Sequence, residues 1–410
     1  MKGSASITLT PLPPRDARRL RQLLGLLARP RLTARHAAAV ERLLGHPGWR
    51  PLPRLAAVLP IEPLAAHHLC ALGIPLEAAF VPESSAAPLP DFRLLASNYA
   101  LRRRALAEVL SAFGEAGLER VLLVKGAALA PLWPSPALRE MEDCDVVLDP
   151  HSVSSATRVL RRLGWQRRRC SWGHPSGVSL DLQVATLPFA RHVLETAVPH
   201  PVLAPWGPAR IPAPSAHLLL LALHAAHHGG LRVWRDIADM QLLLEEGDAR
   251  ALVTDARELA ARHDGRTALL AYLCVMEKWT RPLSPLLESA ADPAVRSHVR
   301  LLEHLMAEPL TEFGLYALDS LTPRSPRILP AAAVALASLL PRRGARPAGA
   351  RESQRDPLWG TIPSAGRLDR QRAKARVLLT VCQSGRLAHY RRLAAALRQF
   401  AAPRVFDPAP

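Results

Sequence analysis

Short apolar runs separated by polar breaks between residues 121 and 184 predict three strands of a small sheet. The run at residues 121–124 is short and β-branched, as in a buried strand, and Lys125-Gly126 breaks it before one or two turns of helix. A second strand is predicted at residues 143–148. A third, at residues 178–184, alternates apolar and polar positions, so one of its faces should be buried and the other polar.

Two aspartates occupy the second strand, although Asp is depleted in strands. Because side chains alternate along a strand, Asp143 and Asp145 should point to one face about 6–7 Å apart, with Cys144 pointing into a core. Neighbouring carboxylates repel each other, and a bound cation relieves that repulsion. Asp181 lies on the polar face of the third strand, in a hairpin predicted with a strand at residues 165–170. It would either join the first two carboxylates or face solvent on an open sheet.

Helical periodicity flanks the sheet region on both sides. Apolar residues recur at helical spacing over residues 15–88 and over a long helix predicted at residues 92–113. Asp149-Pro150 has the residue types of a helix start, with Asp as N-cap and Pro in the first turn. A pair of helices is predicted over residues 215–246, and helical patterns with Phe313 in the core continue to about residue 321.

These patterns divide the chain into four predicted regions. A stretch rich in Pro, Arg, Gly and Ser, typical of a linker, begins at residue 323 and precedes a basic helix near the end of the sequence. The predicted regions are an N-terminal helical region at 1–88, a core containing the sheet at 89–212, a helical region packed on that core at 213–322, and the linker with the basic helix at 323–410.

Charge and composition modify this picture only slightly. The 410 residues carry a formal net charge of +18, which ordinarily suggests a nucleic-acid partner. Nearly all of that charge is Arg, however, in a sequence rich in Ala, Leu and Pro, which is typical of a GC-rich genome. A generally basic surface is therefore favoured over a nucleic-acid groove. Because Lys occurs only at positions 2, 125, 278 and 374, Lys125 is more informative than any Arg.

Cysteine usage and apolar runs bear on the cellular compartment. The five cysteines are scattered without CxxC spacing, which fits a reducing compartment rather than a disulfide framework. The first residues lack the apolar core of a signal peptide. The most membrane-like run, residues 331–340, lies between two prolines and is too short to span a bilayer. We expect a cytoplasmic protein with no membrane span.

Three motifs, by their order and spacing, resemble a bacterial family of uncharacterised nucleotidyltransferases within the superfamily of DNA polymerase β. They are K-G-A-A-L at residues 125–129, R-E-M-E-D-C-D at 139–145 and L-D-L-Q at 180–183. The family pattern is K-G-x-x-L, then R-x-x-x-D-x-D, then D-L-H, and the similarity extends weakly over residues 15–245. Ala127 departs from it where the turn usually has a second Gly or a Ser, and Gln183 departs where the family often has His.

The resemblance implies an α+β fold, with a mixed nucleotidyltransferase-type sheet and flanking helices between N-terminal and C-terminal helical regions. It also implies that the D-x-D pair and the later Asp hold two Mg²⁺ or Mn²⁺ ions, while the Gly turn approaches a triphosphate. Carboxylates that share magnesium with substrate phosphates fit this chemistry. The implied metal-binding and catalytic residues are Asp143, Asp145 and Asp181, and the implied nucleotide-binding residues are Lys125, Gly126, Ala127, Arg139, His224, Arg232 and Asp236.

Some of these positions have structural alternatives. Lys125 could cap a strand end in solvent rather than neutralise phosphate charge, and Arg139 could pair with a neighbouring Glu rather than bind phosphate. The three positions on the predicted helix pair could form a buried hydrogen-bonded network rather than line the nucleotide or acceptor pocket. In the superfamily, the later Asp, here Asp181, also accepts the proton of the acceptor.

The sequence thus predicts a metal-dependent nucleotidyltransferase that moves a nucleoside monophosphate from an NTP, with ATP favoured, to an acceptor hydroxyl or phosphate. The sequence does not specify the acceptor. One rival prediction is a catalytically silent protein that kept the fold and binds nucleotide weakly. The other is a basic nucleic-acid-binding module, which would show salt-dependent affinity for RNA or DNA without turnover.

Overall fold

The structure is a computed structural model of the chain. It describes residues 14–47, 49, 51–53, 61–81, 91–141, 143–168, 171–200, 202–203, 207–227, 233–280, 283, 292–306, 405 and 407–408. The strands in these ranges are β1 (Leu52–Pro53), β2 (Phe80–Val81), β3 (Val121–Leu123), β4 (Cys144–Leu148), β5 (Gln166–Arg167), β6 (Trp172–Gly173), β7 (Ser179–Val184), β8 (Val198–Pro199), β9 (Ala209–Ile211) and β10 (Asp407–Pro408).

Helices precede and follow these strands. They are α1 (Pro14–Leu27), α2 (Ala34–Leu44), α3 (Glu62–Ala71), α4 (Leu76–Ala79), α5 (Phe92–Glu115), α6 (Lys125–Leu129), α7 (Val153–Arg162), α8 (Pro188–Glu195), α9 (Pro214–His227), α10 (Val233–Glu245), α11 (Ala249–Arg262), α12 (Arg266–Trp279) and α13 (Pro293–Leu305). Within the ranges that the structure describes, none of the helices is both long enough and apolar enough to cross a membrane.

A mixed sheet carries the three strands predicted from the apolar pattern. Its order is β5-β6-β7-β4-β3-β9-β8, and β10 pairs with β7 as well. Strand β4 runs antiparallel to β3 and parallel to β7, so it lies at the centre of the sheet. Every residue of β4 is buried, whereas β7 alternates between buried and half-buried residues, as its sequence predicts. A mixed sheet flanked by helices confirms the α+β class.

Alternate residues of the central strands enter two separate apolar cores. Val146 and Leu148 belong to the core formed with α5 and α7. Leu122 and Val147 belong to the larger core formed with α1, α3 and the helices from α9 to α12. Because side chains two residues apart on a strand share a face, Asp145 lies on the same face as Val147. The predicted carboxylate site is therefore on the sheet face that meets the larger core.

Of two local predictions from the sequence, the helix start at Asp149 is confirmed and the hairpin before β7 is wrong. Asp149 accepts a hydrogen bond from the backbone N–H of His151 at 2.9 Å, with Pro150 in the first turn, which confirms the predicted helix start. The hairpin predicted between residues 165–170 and β7 is wrong. The hairpin partner of β7 is β6, because a tight turn in which the His174 N–H donates to the Val178 carbonyl places residues 172 and 173 opposite β7.

The end of the chain contributes one short strand to the described structure. Strand β10 pairs antiparallel with β7, with Asp407 opposite Val184 and Pro408 opposite Gln183. The predicted basic helix and Phe313 lie outside the described residues. The sheet edge beside Gln183 is thus covered by a segment more than 200 residues further along the chain.

Close contact between α1 and α12 depends on Gly25. A Cβ atom at this position would lie 2.0 Å from the carbonyl oxygen of Trp279, so the two helices would have to separate. We expect Gly25→Ala to lower the free energy of unfolding by about 1–3 kcal/mol, as overpacking does, although Ala is the better helix former. Urea denaturation measures the change. Gly247→Ala is the matched control, since a Cβ there would have no neighbour within 4 Å, and equal losses for both variants would contradict the close packing.

Candidate active site

The register of β4 and β7 brings two carboxylates together. Asp145 and Asp181 are direct partners in this parallel pair, so their side chains lie side by side on one face of the sheet. The Asp145 side chain is only 7% exposed. Asp143 is half-buried and lies just before β4. We call Asp145 and Asp181 the acidic pair.

A single amide nitrogen bridges the acidic pair. The Gln183 side chain donates from Nε2 to Asp145 Oδ1 at 3.0 Å and to Asp181 Oδ2 at 2.7 Å. Gln183 shares the polar face of β7 with Asp181, because the two residues are two positions apart on the strand. Gln183, one of the two residues that depart from the family pattern, is therefore in direct contact with both carboxylates.

Lys125 supplies a cation to the same site. Its Nζ atom lies 2.5 Å from Asp145 Oδ1, and its side chain is 16% exposed. The residue follows β3 with a φ of +53°, in the left-handed region that non-glycine residues rarely adopt. Lys125 thus points at the acidic pair and does not cap a strand end in solvent.

Two contacts fix the short helix that begins at Lys125. A Cβ atom on Gly126 would lie 2.7 Å from Met141 Cγ, so this glycine allows the motif to pack closely against Met141. On the other side, His200 Nδ1 accepts from the backbone N–H groups of Val202 and Leu203, so its Nε2 carries the proton and donates to the Ala128 carbonyl at 3.1 Å. Burial lowers the pKa of His200, which keeps the ring neutral.

Arg139 forms a buried ion pair with Asp239. Its Nε donates to both carboxylate oxygens of Asp239 on α10, and Nη2 donates to Asp239 Oδ2 at 2.7 Å, while Nη1 donates to the Glu140 carbonyl. Burial alone would lower the pKa of Arg139, but Asp239, with Asp236 and Asp145 nearby, raises it. The guanidinium therefore joins the segment that leads into the D-x-D pair to Asp239 on α10.

Sequence reasoning did not single out Asp239 or His200 as parts of this arrangement, and it named Gln183 only as a departure from the family pattern. Asp239 lies three residues after Asp236 on a helix whose other residues near it are almost all buried, which is a visible signal for a paired charge. Its partner, 100 positions away, carries no such signal in the sequence. Nothing in the local pattern around His200 predicts its bond to Ala128.

Three of the four remaining predicted nucleotide-binding residues lie on described helices, namely Ala127 on α6, His224 on α9 and Asp236 on α10. Ala127 is buried in the core beneath α5. Asp236 is buried on α10, and the pKa of Tyr272 is raised by burial and by the nearby charge of Asp236. His224 is half-buried on α9. Arg232 lies outside the described residues.

Burial, with Asp143 close by, raises the pKa of Cys144 to about 12, so its thiol stays protonated and is a poor nucleophile.

The oxygen donors of the acidic pair fit Mg²⁺ or Mn²⁺, which prefer carboxylate ligands. Lys125 and Gln183 already donate to Asp145 Oδ1, and Gln183 also donates to Asp181 Oδ2. In the described ranges, no group of three or more His, Cys, Asp or Glu side chains is gathered closely enough to hold a metal ion. The site has the right donor chemistry, and its internal donors would have to yield to a bound metal.

Comparison with known families gives a match that covers the candidate site. A family model described as uncharacterised nucleotidyltransferase matches residues 46–281, which is more than half of the chain. The matched range begins after α2, ends just beyond α12 and includes both strands of the acidic pair as well as the Arg139–Asp239 contact. No curated protein matches the chain significantly.

The buried ion pair allows a stability test. We expect Arg139→Met to lower the free energy of unfolding by about 3–5 kcal/mol, because it leaves the Asp239 carboxylate buried without its cation. Adding Asp239→Leu should recover much of that loss, since no uncompensated charge then remains. Guanidinium denaturation of the single and double variants measures both effects.

A surface pair provides the control. Arg31 Nη1 lies 3.0 Å from Glu246 Oε1, but the two side chains are 52% and 49% exposed. Arg31→Met should therefore cost less than about 1 kcal/mol. Equal costs for Arg31→Met and Arg139→Met would show that burial of the Arg139 pair contributes nothing.

Proposed function

Since the chain belongs to the uncharacterised nucleotidyltransferase family, we propose that it moves a nucleoside monophosphate from an NTP to an acceptor hydroxyl or phosphate in a reaction that requires Mg²⁺ or Mn²⁺. The observation that carries the proposal is the register of Asp145 opposite Asp181, with Lys125 at the same carboxylate. ATP is the favoured donor, and the acceptor is left open.

The carboxylates would hold the metal ions, with Asp143 and Asp145 contributing from the D-x-D segment and Asp181 from β7. When bound, such ions neutralise phosphate charge and activate the attacking oxygen. The acceptor oxygen forms a bond to the α-phosphorus as the bond to the β-phosphate oxygen breaks, and pyrophosphate leaves. Asp181 takes the acceptor's proton, because an ionised carboxylate beside the attacking oxygen can act as general base.

Two further residues support this reaction in the proposal. Lys125 neutralises charge on the triphosphate, for which its ammonium is well suited as a compact point charge. Arg139 holds the D-x-D segment in place through Asp239, so we assign it a positioning role. His224, Arg232 and Asp236 are proposed to line the nucleotide or acceptor pocket from the side of α9 and α10.

A catalytically silent nucleotide-binding protein is the second candidate. Gln183 and Lys125 occupy oxygens of both carboxylates, and Ala127 offers no hydroxyl to a phosphate. If these donors never yielded, the protein would bind nucleotide without turnover. Incubation with each labelled NTP, Mg²⁺ and a cell extract, followed by identification of labelled products, separates the two candidates.

The two members of the acidic pair should fail in different ways. We expect Asp145→Asn to lose both magnesium–NTP affinity and transfer, because it removes a metal-binding charge. Asp181→Asn should keep much of the affinity but lose transfer by ~10²-fold or more, because an amide cannot accept the proton. Calorimetric NTP titration and a pyrophosphate-release assay on the same preparations measure the two properties.

Asp248→Asn is the control for this comparison. Asp248 caps α11 through the backbone N–H groups of Arg250 and Ala251, and Asn caps helices equally well. The variant should therefore behave as the parent protein in both assays. Near-normal pyrophosphate release from folded Asp181→Asn would refute its assignment as the base.

A further inference from the structure

We propose that the ammonium group of Lys125 is the built-in counter-ion of Asp145 before a metal binds, and that metal binding moves it onto the triphosphate. One side chain would then couple the two binding events. The inference rests on the proposed nucleotidyl transfer, and it adds a defined order of contacts within the site.

The first support is the competition for one oxygen. Lys125 Nζ contacts Asp145 Oδ1, the atom to which Gln183 also donates. Asp145 is almost fully buried, so a cation nearby offsets the cost of placing its negative charge there. An ammonium and a divalent ion on the same oxygen would repel each other strongly at this distance. The two cations therefore exclude one another at Asp145 Oδ1.

The second support is that the backbone of α6 is held while the Lys125 side chain can move. Gly126 packs against Met141, and His200 binds the Ala128 carbonyl, so the short helix is fixed at both ends. A lysine side chain has four rotatable bonds beyond its backbone. The ammonium can thus change partners without any shift of the strand or helix.

The third support is the backbone conformation of Lys125. A left-handed φ of +53° is unfavourable for a residue with a Cβ atom, and such conformations persist where the surrounding structure imposes them. Here the conformation directs a cation at the acidic pair from the point where β3 ends. An incoming triphosphate that shares the metal would place its negative charge beside the same ammonium.

The test removes only the charge. Lys125→Met should bind Mn²⁺ without nucleotide at least about tenfold more tightly than the parent protein, because the competing cation is gone. The same variant should bind the non-hydrolysable α,β-methylene ATP, with Mn²⁺ present, at least about tenfold more weakly, because the triphosphate loses its ammonium partner. Electron paramagnetic resonance of free Mn²⁺ measures the first affinity, and calorimetry measures the second.

Two further variants keep the result interpretable. Lys125→Gln retains a hydrogen-bond donor without the charge. Like Lys125→Met, it should bind Mn²⁺ more tightly and the ATP analogue more weakly, so it replaces Lys125→Met if that variant does not fold. Lys278→Met removes a lysine at the end of α12 whose Nζ lies 2.6 Å from Glu303 Oε1 on α13, and it should leave both affinities unchanged. Opposite shifts for the Lys125 variants alone would support the proposal.

An unchanged or weaker Mn²⁺ affinity in both Lys125 variants would overturn the proposal. That result can be told apart from a failure of the proposed function. If the parent protein binds α,β-methylene ATP with Mn²⁺ and Asp145→Asn does not, the transferase site stands and only the exchange of cations is wrong. If neither protein binds the analogue, the proposed function itself fails.

Discussion

A carboxylate buried at the centre of a sheet is the constraint on which this site depends. Asp145 lies on a strand whose every residue is buried, and an isolated charge there would be very costly. The protein compensates it from two directions, with the Lys125 ammonium from the end of β3 and the Gln183 amide from β7. Both donors come from segments that the sheet itself places beside β4. The site therefore forms only if the β3, β4 and β7 register is correct.

Compensation of buried charge continues from the sheet to α10. Arg139 lies within the electrostatic reach of Asp145 and is held by Asp239, with Asp236 close by. Positive and negative groups thus alternate from the acidic pair to α10. Because one unpaired member would leave a buried charge, α10 cannot be shifted relative to the sheet without loss of stability. The range matched by the family model includes both partners of this contact.

Strand periodicity predicted much of the site, since alternation alone places Asp181 and Gln183 on one face and Cys144 in a core. It could not predict contacts that depend on distant segments. The Arg139–Asp239 pair and the covering of β7 by β10 join residues 100 or more positions apart. The hairpin was misplaced for a related reason: part of the strand predicted at residues 165–170 pairs, as β5, with β6, and residues 172 and 173, next to the tight turn, face β7. Local pattern gives the faces, and turns and long-range pairing give the partners.

The conformation of Lys125 shows that local stability and the requirements of the site conflict at this position. A left-handed conformation costs a non-glycine residue about 1–2 kcal/mol, and Gly or Asn would bear it more easily. Neither of those residues carries a positive charge, and Lys278, the other lysine in the described ranges, pairs with Glu303. Arg is abundant in this chain, yet its rigid fork is longer and suited to two-point contacts rather than to a single oxygen. The compact ammonium of Lys125, at the end of β3, offsets the charge of the buried Asp145 carboxylate. The backbone strain at Lys125 follows from placing the ammonium there.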